Sequence, residues 1–155
     1  MKTAIVISDS HGNMRLLTQL YPLFSECDYI IHLGDTSSDA SKIARDFPGK
    51  VISLNGNCDP IKLGENERVL ELEGVKIFLC HGHTYSVKTT AQRLAARAKE
   101  LGCSLAFYGH THAAREETVD GVTLVNPGNT ARYSQNGYCY LAVNGGKAVT
   151  KLVRI

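Results

Sequence analysis

Five short apolar runs in this chain each end at residue types that bind metal ions, and that recurrence narrows the folds open to it. Thr3 to Ile7 leads to Asp9 and His11, Tyr29 to Leu33 leads to Asp35, and Val51 to Leu54 leads to Asn57. Val75 to Cys80 leads to His81, and Leu105 to Tyr108 leads to His110 and His112. Runs of this length read as buried strands, and an open α/β sheet builds its site just beyond the carboxyl ends of its strands. Side chains from all five ends are therefore expected on one rim. Seven oxygen- and imidazole-bearing groups there are enough to hold two metal ions, so a metal-dependent hydrolase is the leading expectation.

The stretches between the runs carry helical patterning. Gly12 to Phe24 has Leu16, Leu17, Leu20, Leu23 and Phe24 on one stripe, with Asn13 as its cap. Ser37 to Phe47 predicts a second helix, stopped by Pro48-Gly49, and Val87 to Leu101 predicts a third that ends at Gly102. The second half favours hairpins: Arg68 to Leu72 with Val75 to Cys80, Glu117 to Val119 with Val122 to Val125, and Tyr138 to Val143 with Ala148 to Val153. Parallel βαβ units followed by antiparallel hairpins predict an α/β (α+β) fold of two sheets packed face to face with helices outside. Neither a repeat nor a linker interrupts the chain, so one domain is expected over residues 1–155.

Charge and cysteine usage remove several function classes. The net charge is +2 with the signs interspersed, which leaves no basic stripe for a nucleic acid. No run approaches the roughly 18 apolar residues that span a bilayer, and the first apolar stretch is too short for a signal peptide. A cytoplasmic protein without a membrane partner is expected. The five cysteines are odd in number, scattered and without CxxC spacing, which argues against a disulfide framework or a structural zinc site. Cys80 and Cys139 read as small buried hydrophobes. Cys58 differs, with polar and glycine neighbours.

Asp9-Ser10-His11 and His110-Thr111-His112 each place two ligand types two residues apart, which in extended backbone turns both to one side. Asp35 follows a glycine and is free to bridge two ions, Asn57 offers an amide oxygen, and His81 another imidazole. Such a set without thiolate suits Mn²⁺, Fe, Zn²⁺, Co²⁺ or Ni²⁺ better than Ca²⁺ or Mg²⁺. Two divalent ions, two carboxylates and a bridging hydroxide leave a site of about +1, which attracts an anionic phosphoester and holds its nucleophile near neutral pH. Blander readings stand beside this. Each Asp or Gly-Asp alone is ordinary turn chemistry, and His32 inside Ile30-Ile31-His32-Leu33 reads as a core histidine. His83 either lines the pocket or caps a loop. Asp39 and Asp59 read as partners for imidazoles, with a helix cap as the alternative for Asp39. Asn126-Pro127-Gly128-Asn129 reads as a turn.

Taken together, Asp9-Ser10-His11, Gly34-Asp35, Gly56-Asn57-Cys58-Asp59, His81 and Gly109-His110-Thr111-His112 resemble the signature of calcineurin-like metallophosphoesterases. Any one of these motifs is weak, but five in order between Ile5 and about Tyr133 are specific. The small size and the Gly-Asn-Cys-Asp variant look most like the short bacterial and archaeal phosphodiesterase branch. The resemblance implies a four-layer α/β/β/α sandwich of two mixed β-sheets flanked by helices, and a phosphodiesterase whose nucleophile is a metal-bridging hydroxide. It implies two divalent ions, Mn²⁺ first among the candidates. Asp9, His11, Asp35 and His112 would hold one ion, and Asp35, Asn57, His81 and His110 the other. Substrate contacts are expected from Asn57, Cys58 and His83, although many family members carry His where this chain has Cys58. The same resemblance admits other functions: a non-catalytic interaction scaffold, as in a eukaryotic retromer subunit of similar fold, or a nuclease or nucleotide phosphatase. A scaffold has no need of seven ligands, and a nuclease is expected to show a basic approach surface. A small-molecule phosphoester is thus the expected partner, and a homo-oligomer is compatible with the sequence.

Overall fold

The layering begins in the first strand, β1 (Lys2–Ile7), whose successive residues face opposite ways. Ala4 and Val6 enter a core between two sheets, while Ile5 and Ile7 enter a second core under helices, and all four are fully buried. The computed structural model describes residues 1–155. On one side β1 pairs in parallel with β2 (Tyr29–His32), and β2 pairs in parallel with β3 (Val51–Ser53). On its other side β1 pairs antiparallel with β9 (Gly137–Asn144), the hairpin partner of β10 (Lys147–Arg154). The second sheet contains β4 (Glu67–Leu72), β5 (Val75–Cys80), β6 (Leu105–Phe107), β7 (Arg115–Val119) and β8 (Val122–Asn126). Its order is β4-β5-β6-β8-β7, and β5, β6 and β8 run parallel.

The helices cover the outer faces. α1 (Met14–Gln19), α2 (Tyr21–Glu26) and α3 (Ser37–Asp46) lie on the first sheet, where Leu17, Leu20, Phe24 and Ile43 pack against Ile5, Ile7 and Ile30. α4 (Gln92–Glu100) lies on the second, with Leu94, Ala95 and Ala98 against Phe78, Ala106 and Leu124. The result is the expected four-layer sandwich of two mixed sheets flanked by helices.

Two helices differ from expectation. The single helix predicted over Gly12 to Phe24 is two, separated at Leu20, with Pro22 near the start of the second. Proline has no N–H to donate and is tolerated only in a first turn, so a new helix begins there while the apolar stripe continues. The helix predicted from Val87 begins only at Gln92. Ser86 has a φ of 55°, and the Thr89 and Thr90 amides turn back onto its carbonyl, so that stretch is a turn.

Candidate metal centre

The carboxyl ends of β1, β2, β3, β5 and β6 bring the predicted ligands to one rim, with two buried carboxylates at its centre. Asp9 follows β1 and is fully buried. Its Oδ2 accepts from the Ser8 hydroxyl and, at 3.0 Å, from the His110 backbone N–H, while its Oδ1 makes no hydrogen bond. Three imidazole nitrogens face that free oxygen: His112 Nε2 at 3.2 Å, and His11 Nε2 and His81 Nε2 each at 3.9 Å. Asp35 repeats the arrangement. Its Oδ1 accepts the Cys58 N–H at 2.9 Å, and its Oδ2 faces His81 Nε2 at 3.5 Å and His11 Nε2 at 3.7 Å. Each carboxylate is held by one oxygen and aimed with the other.

His81 shows what such a centre lacks. Its Nδ1 is 2.8 Å from the Leu33 carbonyl, so that nitrogen carries the proton, and Nε2 presents a lone pair in the neutral ring. Around Nε2 stand Asn57 Oδ1 at 3.0 Å and the free oxygens of Asp35 and Asp9, all of them acceptors. Only a second proton or a cation reconciles them. Burial opposes the proton, but the Asp35 and Asp9 carboxylates outweigh it and raise the His81 pKa above 6.5. Burial would likewise raise Asp35, yet His81 and the Cys58 N–H hold that carboxyl well below the usual range. His11 Nε2 is also buried without a hydrogen bond. Metal bonds of about 2.0–2.2 Å separate neighbouring ligand atoms by roughly 3–4 Å, as found here. The residues fit divalent ions.

The ligand atoms form two clusters, Asp9-His11-His112 and Asp9-Asp35-His81. The resemblance made Asp35 the shared carboxylate. In the structure Asp9 belongs to both clusters, and Asp35 reaches across from His81 to His11. His110 stands beside the second cluster, edge-on to His81 with ring centroids 5.1 Å apart. Burial, the neighbouring His81 charge and Lys88 lower the His110 pKa to about 4, which leaves a neutral ring at physiological pH.

One local expectation is corrected. The paired ligands do not lie in extended backbone: Asp9, His11, Asp35, His110 and His112 have φ of 54°, 45°, 47°, 71° and 63°. Side chains rarely adopt this left-handed region, and such residues collect where surrounding contacts over-determine a functional site. Those contacts are visible. Asp59 accepts the backbone N–H groups of Asp35, Ser37 and Gly56, and Asp39 accepts the Gly12 N–H and the Ser10 hydroxyl. Neither orients a ligand imidazole directly; both pin ligand loops. His32 is fully buried, its Nδ1 accepting the Gly34 N–H and its Nε2 meeting Ser10 Oγ at 2.8 Å, as befits a core histidine. Burial lowers its pKa and keeps it neutral. The motif glycines are spacers: a Cβ on Gly56 would lie 1.9 Å from Asp35 Oδ1, and one on Gly109 would lie 2.0 Å from Ser8 Oγ.

Residues read as a turn also prove to be supports. Asn126 Nδ2 donates to the Gly109 carbonyl at 3.0 Å and to Thr111 Oγ1 at 2.9 Å, and Asn129 Nδ2 donates to the His112 carbonyl at 3.0 Å. The available signal was a pair of asparagines flanking Pro127-Gly128 directly after the apolar run Val122 to Val125. On the rim, Asn57 and Cys58 are exposed, and His83 lies with its ring 5.4 Å from that of His81. Tyr133, half exposed, stacks on His112 with centroids 5.1 Å apart and planes 19° from parallel.

The sequence profile of the calcineurin-like phosphoesterase superfamily domain matches residues 1–146. The chain belongs to that superfamily. A probable metallophosphoesterase of Bacillus subtilis is 35% identical to it over 126 residues, 81% of this chain and 73% of that protein. A phosphodiesterase of Methanocaldococcus jannaschii is 28% identical over 83% of this chain and 84% of its own length. Among solved structures, Vps29 of Entamoeba histolytica complexed with zinc superposes with a TM-score of 0.79 at 20% identity, covering 99% of this chain and 98% of that one. That last likeness is one of fold. Calcineurin-like phosphoesterases use divalent metals, and this member carries candidate ligand groups for them.

Proposed function

We propose that the chain is a metal-dependent phosphodiesterase with two divalent ions, Mn²⁺ first among the candidates, held by Asp9, His11, Asp35, Asn57, His81, His110 and His112. The observation that carries this reading is the set of buried or ligand-facing lone pairs without donors: Asp9 Oδ1, His11 Nε2 and His81 Nε2. Divalent ions held by these residues would supply hydroxide near neutral pH and offset charge on the phosphoryl oxygens. The protein's own part is positional. Ser8 and the His110 N–H fix Asp9, the Cys58 N–H fixes Asp35, and the Leu33 carbonyl fixes the His81 tautomer. In hydrolysis the water oxygen bonds to phosphorus, the leaving oxygen departs with the electron pair of the broken P–O bond, and one proton of the attacking water ends, through solvent, on that oxygen. Asn57, Cys58 and His83 line the open side where the substrate enters. In the metal-free chain, partial desolvation and the Asp35 carboxylate raise the Cys58 pKa.

The diesterase reading draws on the relative of that name and on Cys58, a weak donor where a strong proton donor would favour monoesters. The Vps29 likeness, at 20% identity, is one of fold and does not by itself carry a scaffold role to this chain. Five unpaired cysteines suit a reducing compartment, and we read the protein as cytoplasmic. No helix is long and apolar enough to cross a membrane.

Reconstitution with Mn²⁺, Zn²⁺ or Fe²⁺ is expected to load two ions per chain and to support turnover of bis(4-nitrophenyl) phosphate. Asp35→Asn removes charge from the centre and is expected to cost turnover on the order of 10²-fold or more in a folded protein. Less than one ion bound per chain, or equal turnover after chelation, would sink the proposal.

A further inference from the structure

The His83 side chain makes no hydrogen bond, yet its ring lies 5.4 Å from that of His81 and 6.2 Å from that of His110. Its place is therefore set by the backbone that carries it, one turn of 3-10 helix over His83–Tyr85. That turn is anchored at both ends. Before it, His81 Nδ1 donates to the Leu33 carbonyl at 2.8 Å, and Gly82 turns the chain at a φ of 106°. At the far end Tyr85 is held three ways. Its N–H donates to the Gly82 carbonyl at 3.0 Å, its ring lies edge-on to Phe78 with centroids 6.0 Å apart, and its hydroxyl donates to Glu67 Oε2. Glu67 opens β4 opposite Cys80, the residue before His81, and its other oxygen accepts from Arg97 of α4 at 3.3 Å. Arg93 of the same helix reaches only Ser86, beyond the turn, from an exposed position. Burial and Glu67 push the Tyr85 pKa up to about 12, so its hydroxyl stays a donor at physiological pH.

We propose that Tyr85 is a positioning residue for substrate binding: clamped by Glu67 and Arg97, it fixes the turn that sets His83 at the open side of the metal centre. The inference rests on the phosphodiesterase reading and on the place given there to His83, and extends both to residues that touch neither metal nor substrate. A hydrogen bond to an ionised acceptor is roughly twice as strong as one between neutral groups, so the hydroxyl on Glu67 is the strongest tie on the turn. Without it the turn keeps only its internal N–H bond and the ring on Phe78, and His83 has no bond of its own to compensate. His81 keeps its bond to Leu33 in either case. The loss therefore falls on the hold on substrate and spares the metal ligands.

Tyr85→Phe removes the hydroxyl and keeps the ring on Phe78. In metal-loaded protein it should raise KM for bis(4-nitrophenyl) phosphate about tenfold, the low end of the loss for residues that act through another, with kcat and bound metal retained. Glu67→Ala should match it, and Glu67→Gln, which keeps an acceptor for the hydroxyl, should stay near wild type. Tyr85→Phe combined with His83→Ala should lose no more than His83→Ala alone. Tyr21→Phe is the control. It removes a like bond, from the Tyr21 hydroxyl to Asp46 at 2.7 Å on the helices of the other sheet, and should lower Tm without moving KM. A wild-type KM in Tyr85→Phe, a loss that multiplies with that of His83→Ala, or a loss of metal in place of substrate affinity overturns the inference and leaves the phosphodiesterase reading intact. If wild-type protein hydrolyses no diester, that reading fails first, and the inference is judged by the His83 ring signals in nuclear magnetic resonance spectra of zinc-loaded protein. Shifts in Tyr85→Phe and Glu67→Ala that are absent from Glu67→Gln and Tyr21→Phe support it. Signals that stay in place in Tyr85→Phe, or that move as far in Tyr21→Phe, overturn it.

Discussion

Cys58 stands on the exposed rim, its N–H on Asp35 Oδ1 and its sulfur 3.5 Å from the Asn57 amide nitrogen, so it is not packed beneath the site. An imidazole there would add a proton donor toward the leaving oxygen, and general acid assistance is typically worth about 10²–10⁴-fold for poor leaving groups. Cys58→His is therefore expected to raise alkyl monoesterase activity relative to aryl diesterase activity. A ratio unchanged from wild type would show that the thiol is not what limits monoester turnover. Tyr133 acts through a different contact. Its ring lies nearly parallel on His112, and aromatic pairs contribute about 0.5–1.5 kcal/mol beyond buried area. Tyr133→Ala should loosen the His112 ring and weaken metal affinity roughly two- to tenfold, read by titration against a competing chelator, with Tyr133→Phe close to wild type. Equal affinities in Ala and Phe variants would mean that the stacking does not orient the ligand.

At the scale of elements, the strands supply direction and the loops after them supply the site. β2 and β3 run parallel and end with Gly34-Asp35 and Gly56-Asn57 side by side, so the Asp35 carboxylate occupies the space a Cβ on Gly56 would need. Gly56→Ala forces one of them to move. The strands themselves need not, since Gly56 lies beyond β3, which ends at Ser53. The expected outcome is a folded protein by circular dichroism that loses metal at the Asp35 and His81 cluster. Full metal content in Gly56→Ala would show that this loop adjusts freely. The segment from Asn126 to Asn129 does for His110 and His112 what Asp59 does for Asp35, tying ligand loops to buried amides rather than touching the centre.

At the scale of the whole molecule, the two sheets meet at a centre that concentrates like charge. Asp9 and Asp35 are both buried and both aimed inward, so the metal-free chain relies on protonated His81 to offset them. The sign of the pH dependence follows. A raised His81 pKa contributes stability that is fully present below the unfolded value near 6.5 and is lost as pH rises through the folded value. A cation takes the place of that proton, so metal binding releases it and strengthens as pH rises. Chelation should therefore lower Tm more at about pH 8 than at about pH 6. Binding at a hundredfold excess over Kd is worth about 2.7 kcal/mol, a shift of roughly 5–10 °C for a domain of this size. Calorimetry with and without chelator at the two pH values checks both sign and size, and a larger shift at the lower pH would contradict the account.

The strands and the outward placement of the helices were legible in the sequence because they depend on local periodicity, and the seven residues proposed as ligands stood out there by their chemistry. Ile5 and Ile7 alternate with Ala4 and Val6 whatever the tertiary context, and imidazoles after apolar runs announce themselves. Tertiary structure decided what depends on contacts between distant segments. The left-handed backbone of Asp9, His11, Asp35, His110 and His112 is maintained by Asp39, Asp59, Asn126 and Asn129, partners from other elements that no local pattern reveals. The sharing of Asp9 between the two clusters, the stacking of Tyr133 and the clamp of Glu67 on Tyr85 arise in the same way. A sequence records which side chains are present and at what spacing; which lone pairs face one another across a few ångströms is set only when the two sheets close.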